Sequence, residues 1–175
     1  MKKLLLIFTT MLALGGCGPQ MDTESEQIKA QAQVEEQNKE VVRRYWNGKW
    51  NKRRSEILDE LQTLDVTYHG TSMTMNGVEE YKQVYGGFLS AFHDTQITIE
   101  ELLAEGDKVM SRVSVNGVHK GDFEGIPPTG KVFTISLFTV FRLIDGKIVE
   151  EWEVLDELGL MHQLGMELGP KEDES

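Results

Sequence analysis

The stretch that decides the fold is KVFTISLFTVFRLIDGKIVEEWEVLD, residues 131–156. Apolar and polar side chains alternate along it on both sides of Asp145-Gly146, which is the pattern of two half-buried strands. Asp-Gly is a strong signal for a two-residue hairpin loop, because both loop positions take positive φ. The stretch therefore predicts a long β-hairpin near the end of the chain.

The rest of the chain predicts helices first and further strands later. Apolar residues recur at spacings of three and four in the first half, as in amphipathic helices, and at a spacing of two in the second half. The predicted elements are helices over 38–50, 51–62 and 75–92, a strand over 65–70, a hairpin over 96–123 and a short final helix over 157–168. Helices followed by an antiparallel meander indicate an α+β fold. Its sheet can curl around the N-terminal helices and leave a cavity at the open end.

The strand that ends the opening stretch carries acids on both faces. Strict alternation places one set of residues on a common face: Ile148, Glu150, Trp152, Val154 and Asp156. The opposite face carries Val149, Glu151, Glu153 and Leu155. The first face mixes apolar groups with acids, as a pocket wall does, and an apolar cavity raises the pKa of an acid toward the range useful for proton transfer. We expect this first face to line the cavity, with Glu150 in an ion pair with Arg112 or Arg142.

The N-terminus has the features of a bacterial lipoprotein signal. Residues 1–16, MKKLLLIFTTMLALGG, have a basic start, an apolar run and small residues at the end. LGGC resembles a lipobox, which implies cleavage before Cys17 and its lipidation, although an ordinary signal peptide with a stray cysteine is the alternative. Residues 17–37 predict a flexible or loosely helical tether. We expect a lipid-anchored protein of the bacterial cell envelope, on the periplasmic face of the outer membrane or the outer face of the cytoplasmic membrane.

The charge of the chain limits its partners. It has 29 acidic and 18 basic residues, and removal of Lys2 and Lys3 with the signal takes the formal net charge from −11 to −13. Such an acidic chain is a poor partner for nucleic acid. Charge alone would not hold it at an anionic membrane surface either, so we expect its anchor to be covalent.

Several chemistries have no motif in this sequence. The histidines at 69, 93, 119 and 162 lack metal-binding spacing. The segment PPTGK, residues 127–131, lacks the glycine spacing of a phosphate loop, and there is no G-x-S-x-G. We therefore expect neither a metal nor a cofactor, and acid–base chemistry remains.

Three segments carry a family resemblance: GVHKGDFEGIPPTGKVFTI, DGKIVEEW and DELGLMHQLG. In them the chain resembles the SnoaL-like polyketide cyclase (ester cyclase) family of the nuclear-transport-factor-2-like superfamily. The resemblance covers about residues 38–166. It implies one domain over 38–168 with the shape of a cone-shaped α+β barrel. The residues after this domain, GPKEDES over 169–175, are a charged tail by composition. The resemblance also implies a homodimer, because sheet-to-sheet homodimers are common in the superfamily.

The resemblance implies a reaction as well. In the characterised cyclases of the family, an aspartate at the end of the last strand is the general acid/base of an intramolecular aldol closure, without a metal or organic cofactor. Asp156 matches that aspartate. However, Asp156 directly precedes the predicted final helix and could simply be its N-cap, which would lower its pKa instead of raising it.

The candidate substrate-binding residues are aromatic, histidine and arginine side chains: Tyr45, His69, Phe88, Phe92, Arg112, His119 and Trp152. Each has a plainer alternative. The aromatic residues fit an apolar core, His119 could order the neighbouring turn, and Arg112 could form an exterior salt bridge. Many relatives carry a histidine near position 139, where this chain has Thr139.

Two functions from different classes remain open. The first is an exported enzyme that performs acid–base chemistry at Asp156 on a small hydrophobic carbonyl compound. The second is a non-catalytic lipoprotein that binds a small hydrophobic ligand. Asp156→Asn separates them, because the enzyme would lose turnover and keep its affinity, whereas the binding protein would lose little of either.

Overall fold

One curved, open six-stranded sheet packs against helices in this structure, a computed structural model that describes residues 20–167 and 169. The predicted signal peptide, Cys17 and all of the predicted tail except Gly169 lie outside the described residues. The α-helices are α1 Gln20–Trp46, α2 Glu56–Leu61, α3 Val78–Ala91 and α4 Glu157–Leu164. The strands are β1 Gln62–His69, β2 Thr74–Asn76, β3 Phe92–Glu105, β4 Lys108–His119, β5 Val132–Ile144 and β6 Lys147–Leu155. The predicted α+β fold, with a mostly antiparallel sheet, N-terminal helices and a short C-terminal helix, is confirmed.

The sheet has the strand order β2-β1-β6-β5-β4-β3. The predicted hairpin of β5 and β6 turns at Asp145 and Gly146, whose φ values of 49° and 73° fit the positive-φ loop that Asp-Gly favours. All neighbouring strands are antiparallel except β1 and β6, which are parallel. Neither this parallel pairing nor the three-residue strand β2 was predicted. Together they bring the loop between β1 and β2 to the same end of the sheet as the end of β6.

From Gln20 onward, the helix α1 runs without a break through the described part of the segment predicted as a flexible or loosely helical tether. From residue 23 to residue 37 almost all of its side chains are exposed, and burial begins at Asn38. Val42, Tyr45 and Trp46 are fully buried, because their spacing places them on the face that packs against the sheet. The helix continues into a π-helical turn, Asn47–Asn51, which buries Lys49 and Trp50.

A β-bulge near the start of β6 overturns the predicted assignment of its two faces. Arg142 pairs with Glu150, but the next residue of β5, Leu143, pairs with Ile148, so Val149 is an extra residue in β6. Ile148 points inward before the bulge, and after it the inward positions are Glu151 and Glu153 instead of the even-numbered residues. The expectation that Glu150, Trp152 and Val154 line the cavity was therefore wrong.

Gly121 allows a close backbone approach that a side chain would prevent. A Cβ atom at this position would lie 2.2 Å from the backbone oxygen of Ser90. We expect Gly121→Ala to lower the free energy of unfolding by about 1–3 kcal/mol. Gly87→Ala is the matched control: nothing lies near its Cβ position in α3, so we expect a gain of about 0.5–1 kcal/mol. Urea unfolding measures both, and equal effects of the two substitutions would contradict the steric argument.

Candidate functional site

A cavity of about 140 Å³ lies between the sheet, α3 and the loop that joins β1 to β2. Its wall is mostly apolar and aromatic, and includes Trp50, Tyr85, Phe88, Phe92, Phe133 and Leu137. An apolar cavity of roughly 150 Å³ holds a benzene molecule. The volume of this cavity therefore suits a ligand of about one six-membered ring.

Glu153 is the buried carboxylate of the cavity wall. Its side chain is directed inward because β6 continues past the bulge in the alternating pattern, and only 9% of the residue is exposed. One of its oxygens accepts a hydrogen bond of 2.9 Å from the Tyr68 hydroxyl, and the other accepts one of 3.1 Å from Thr139 Oγ1. A carboxylate offers about four acceptor positions. Two therefore remain for a ligand or for a proton.

Glu151 forms a second layer behind this wall and is fully buried. It accepts hydrogen bonds from Gln62 Nε2 at 2.6 Å, from the Tyr45 hydroxyl at 3.0 Å and from the Tyr81 hydroxyl at 3.3 Å. Burial raises the pKa of the Glu151 carboxyl to about 7, although the charge of Lys49 acts in the opposite direction. Glu151 therefore exchanges its proton near neutral pH and is joined to the cavity through Tyr81.

Lys49 faces Tyr81 at the polar end of the cavity and is only 4% exposed. Its Nζ donates to the hydroxyl of Tyr81 at 2.5 Å and to that of Tyr45 at 3.0 Å. Burial lowers the pKa of the Lys49 ammonium, while the charges of Glu153 and Glu151 act to raise it. π-Helical turns such as the one that carries Lys49 often occur at functional sites.

The three tyrosines of this cluster act as neutral donors. Burial, together with the nearby charges of Glu151 and Glu153, raises the pKa values of Tyr45, Tyr68 and Tyr81 well above the usual tyrosine value. Their hydroxyls consequently stay protonated at any ordinary pH. The polar end of the cavity thus carries a cluster of two carboxyl groups, one amine and three phenols. Glu151, Lys49, Tyr45 and Tyr81 form one hydrogen-bonded set in it, and Glu153 and Tyr68 form another.

The structure divides the predicted substrate-binding residues into three groups. Phe88 and Phe92 line the cavity. Tyr45 lies one layer behind it, bonded to Glu151, and His119 lies behind Phe92 with ring centroids 5.4 Å apart. His119 Nδ1 accepts from the backbone N–H of Thr129 at 3.3 Å, as expected if the histidine orders the neighbouring turn.

The third group, His69, Arg112 and Trp152, lies outside the cavity. The His69 ring stacks on Trp152 at 5.4 Å, and its Nε2 lies 3.0 Å from Glu150. Glu150 and Trp152 face outward because of the bulge in β6, and His69 lies on the same outer face of the sheet. Arg112 occupies an outward position of β4 and donates to Glu101 at 2.9 Å, which is the predicted exterior salt bridge.

Glu150 forms the predicted ion pair, and the partner is Arg142. The closest nitrogen–oxygen distance between them is 2.8 Å. The hydrogen bond from Arg142 lowers the pKa of the Glu150 carboxyl most, and the hydrogen bond from His69 lowers it further. Glu150 is therefore a structural, ionised acid on the outer face of the sheet.

Asp156 is the N-cap of α4 in this structure. Its Oδ1 accepts a hydrogen bond of 2.9 Å from the backbone N–H of Gly159, and its side chain is exposed and outside the cavity wall. This is the arrangement that the capping alternative predicts. The structure does not place Asp156 among the groups that could act on a ligand in the cavity.

Substitutions at Asp156 should follow the rules for a helix cap. We expect Asp156→Ala to lower the free energy of unfolding by about 1 kcal/mol, and Asp156→Asn to change it by only a few tenths, since Asn caps as well as Asp. Urea unfolding distinguishes the two variants. An Asn variant as unstable as the Ala variant would contradict the capping role.

The sequence interpretation missed five members of the cluster: Lys49, Tyr68, Tyr81, Glu151 and Glu153. Lys49 had a usable signal, because it follows Val42, Tyr45 and Trp46 on the buried stripe of α1 at helical spacing. A lysine on such a stripe indicates a buried amine. The two glutamates had no such signal, because no glycine or proline marks the bulge that directs them inward.

The chain is similar to known proteins both in sequence and in structure. Residues 40–164 match the family model for SnoaL-like polyketide cyclase. The chain is 28% identical over 127 residues to the aklanonic acid methyl ester cyclase DauD of Streptomyces sp. (strain C5), which covers 71% of this chain and 77% of that protein. It is 33% identical over 78 residues to the aklanonic acid methyl ester cyclase DnrD of Streptomyces peucetius, which covers 45% of this chain and 52% of that protein.

Solved structures share the fold. TsrD from Streptomyces laurentii is 26% identical with a TM-score of 0.67, and the match covers 74% of this chain and 95% of that one. A protein from Jannaschia sp. CCS1 is 24% identical with a TM-score of 0.72, over 77% of this chain and 96% of that one. Since the family model matches well over half of the residues, the chain belongs to the SnoaL-like polyketide cyclase family.

Proposed function

We propose that this protein is a cofactor-independent enzyme that closes a ring in a small hydrophobic carbonyl compound, with Glu153 as the base. The observation that carries the proposal is the buried Glu153 carboxylate on the wall of an otherwise largely apolar cavity, with acceptor positions left over. The cyclase names of the relatives support the reaction type.

The reaction is an intramolecular aldol addition. Glu153 removes a proton from the carbon next to a carbonyl group, and the carbanion attacks a second carbonyl carbon of the same molecule. A carbon–carbon bond forms, and the resulting alkoxide takes up the proton, so the product is an isomer of the substrate. Lys49, at the same end of the cavity, supplies an N–H group for the oxygen that gains negative charge. The narrow apolar cavity holds the two reacting carbons together.

The volume of the cavity points to a small substrate. At about 140 Å³ it holds roughly one six-membered ring. The proposed substrate is therefore an open-chain dicarbonyl compound whose product is a single ring.

Heptane-2,6-dione tests this proposal, since its aldol closure gives 3-hydroxy-3-methylcyclohexanone. We expect the purified protein to accelerate this closure, and proton NMR to show faster exchange of the α protons in deuterated water. The proposed base would be rejected if the protein did not speed α-proton exchange above the rate in buffer for either this diketone or cyclohexanone.

A non-catalytic ligand-binding protein is the second candidate. The observation in its favour is Asp156, which matches the acid/base of the family but caps α4 outside the cavity. In that case cyclohexanone should bind, as seen by a change in tryptophan fluorescence through Trp50 of the cavity wall, while neither α-proton exchange nor ring closure is accelerated.

We also propose that the protein is exported and lipid-anchored through Cys17. The support is the basic, apolar and small-residue pattern of residues 1–16, followed by LGGC. Within the part of the chain that the structure describes, no helix is long and apolar enough to cross a membrane.

Cys17→Ser tests the anchor. In a bacterial host we expect the unaltered chain to incorporate labelled fatty acid and to partition into detergent. The substituted chain should do neither, because it lacks the thiol that lipidation requires. Incorporation of label that persists after the substitution would contradict an anchor at this position.

A further inference from the structure

Lys49 is an unusual residue for the wall of an apolar cavity. Lysine is almost never fully buried unless it is paired, yet this one is 4% exposed. Among the described residues, no carboxylate forms a salt bridge with its nitrogen. Its hydrogen bonds go to the two phenol oxygens of Tyr45 and Tyr81 instead.

Aromatic rings surround the Lys49 nitrogen. Their centroids lie 4.6–5.6 Å from Nζ and belong to Tyr45, Trp46, Trp50, Tyr81 and Tyr85. The Lys49 backbone oxygen also accepts a hydrogen bond from the Tyr85 hydroxyl, which fixes the turn that carries the side chain. The amine is thus held in one place, shielded from bulk water and facing the cavity.

Burial favours the neutral, reactive form of the amine. Burial lowers the pKa of Lys49 and so raises the fraction of neutral amine, although Glu153 and Glu151 act in the opposite direction. A desolvated lysine is the usual nucleophile in imine chemistry with carbonyl compounds. The adjacent Tyr81 hydroxyl, 2.5 Å away, can relay a proton between the reacting nitrogen and Glu151 and itself stay neutral.

We propose that Lys49 forms a covalent imine with aldehyde or ketone ligands in the cavity. The nitrogen attacks the carbonyl carbon, and the C=O electron pair moves to the oxygen, which takes up a proton. The carbinolamine then loses its hydroxyl group with a proton as one water molecule, and a C=N bond replaces the C=O bond. No oxidant or reductant is needed. The proposal rests on the proposed function only for the carbonyl class of the ligand.

The imine would give the cavity a second way to acidify a ligand. A protonated C=N group withdraws electrons more strongly than the C=O group that it replaces. The neighbouring C–H bond then becomes easier for Glu153, on the same cavity wall, to deprotonate. Lys49 would in this way be a catalytic residue.

Reductive trapping with benzaldehyde and sodium cyanoborohydride at pH 7 tests the imine. Benzaldehyde has about the size of the cavity and carries no α proton, so its capture does not depend on the base chemistry of Glu153. Intact mass spectrometry should show one added benzyl group. Peptide mapping should place it on Lys49 in about tenfold excess over any other lysine, the factor that we take as selective labelling.

Two variants and one competitor complete the experiment. Lys49→Met should lose the selective label, and Lys82→Met should keep it, because Lys82 is paired with Asp59 and Glu79 at the surface. Benzyl alcohol fits the same cavity without a carbonyl group and should slow labelling at Lys49 alone. The peptide map of the unaltered protein shows whether Lys49 carries the benzyl group, even if Lys49→Met fails to fold.

Benzyl groups spread evenly over the surface lysines, or a label on Lys49 that benzyl alcohol does not slow, would overturn the proposal. Labelling without α-proton exchange would reject the proposed base and keep the imine. Exchange without labelling would reject the imine and keep the base.

Discussion

Glu153→Gln is expected to slow the cyclisation of heptane-2,6-dione by about 10²–10⁴-fold, which is the usual contribution of a positioned general base. The affinity for the ligand should hardly change. Glutamine keeps the size of the side chain and an oxygen that can accept from Tyr68. It has no basic oxygen, however, so it cannot take the α proton.

Glu150→Gln is the matched control, because it makes the same chemical change on the same strand. Glu150 faces the opposite side of the sheet and is paired with Arg142. We therefore expect its variant to keep the full rate. Asp156→Asn should also keep the rate, because the carboxylate caps α4 outside the cavity. Initial rates at saturating diketone, together with the dissociation constant for cyclohexanone, separate turnover from binding.

The result that would defeat this assignment is a large loss of rate in Asp156→Asn together with a small one in Glu153→Gln. It would place the acid/base where the family resemblance does, and would require α4 to move in solution. If Glu153→Gln lost affinity and rate in equal measure, its carboxylate would bind the substrate and would not act as a base.

The fold was predictable where local chemistry and burial agree. Asp145-Gly146 demands a tight turn, and the alternation on both sides of it determines the faces of β5 and of the start of β6. The strand β2 was missed because three residues are too few for a period to show. The parallel pairing of β1 with β6 joins segments far apart in sequence, which no local pattern reports.

The site was harder to predict than the fold, because one extra residue in β6 determines which side chains face the cavity. The bulge at Val149 reverses the direction of every later side chain of β6, so Glu153 faces the cavity and Trp152 faces outward. Each predicted face of the strand carried two acids, so composition could not show which face lines the cavity. By contrast, spacing alone indicates that Lys49 is buried, because it continues the buried stripe of α1 into the π-helical turn.

The free energy of unfolding should depend on pH through Glu151. Burial raises its folded-state pKa from 4.5 to about 7. A raised folded-state pKa means that the folded protein holds this proton more tightly than the unfolded chain does. The stability that results is fully present below about pH 4.5 and is lost as the pH rises through about 7. A pKa difference of this size between the folded and the unfolded state corresponds to about 3 kcal/mol in the free energy of unfolding.

Comparison with Glu151→Gln isolates this contribution, because all other titrating groups are shared. Urea unfolding at pH 4.5, 6 and 8 should show the unaltered protein losing about 3 kcal/mol relative to the variant over this range. Glutamine is neutral throughout and still accepts hydrogen bonds. The infrared C=O band of a protonated carboxyl group should disappear near pH 7 in the unaltered protein and be missing from the variant.

Glu150→Gln supplies the control of opposite sign. Arg142 and His69 lower the pKa of the Glu150 carboxyl, so its contribution to stability is present above the unfolded-state pKa and is lost as the pH falls. Relative to this variant, the unaltered protein should become more stable as the pH rises. A free-energy difference from Glu151→Gln that stays constant between pH 4.5 and 8 would show that Glu151 is ionised throughout. In that case Glu151 would hold no proton near neutral pH, and Tyr45 and Tyr81 would donate to a carboxylate.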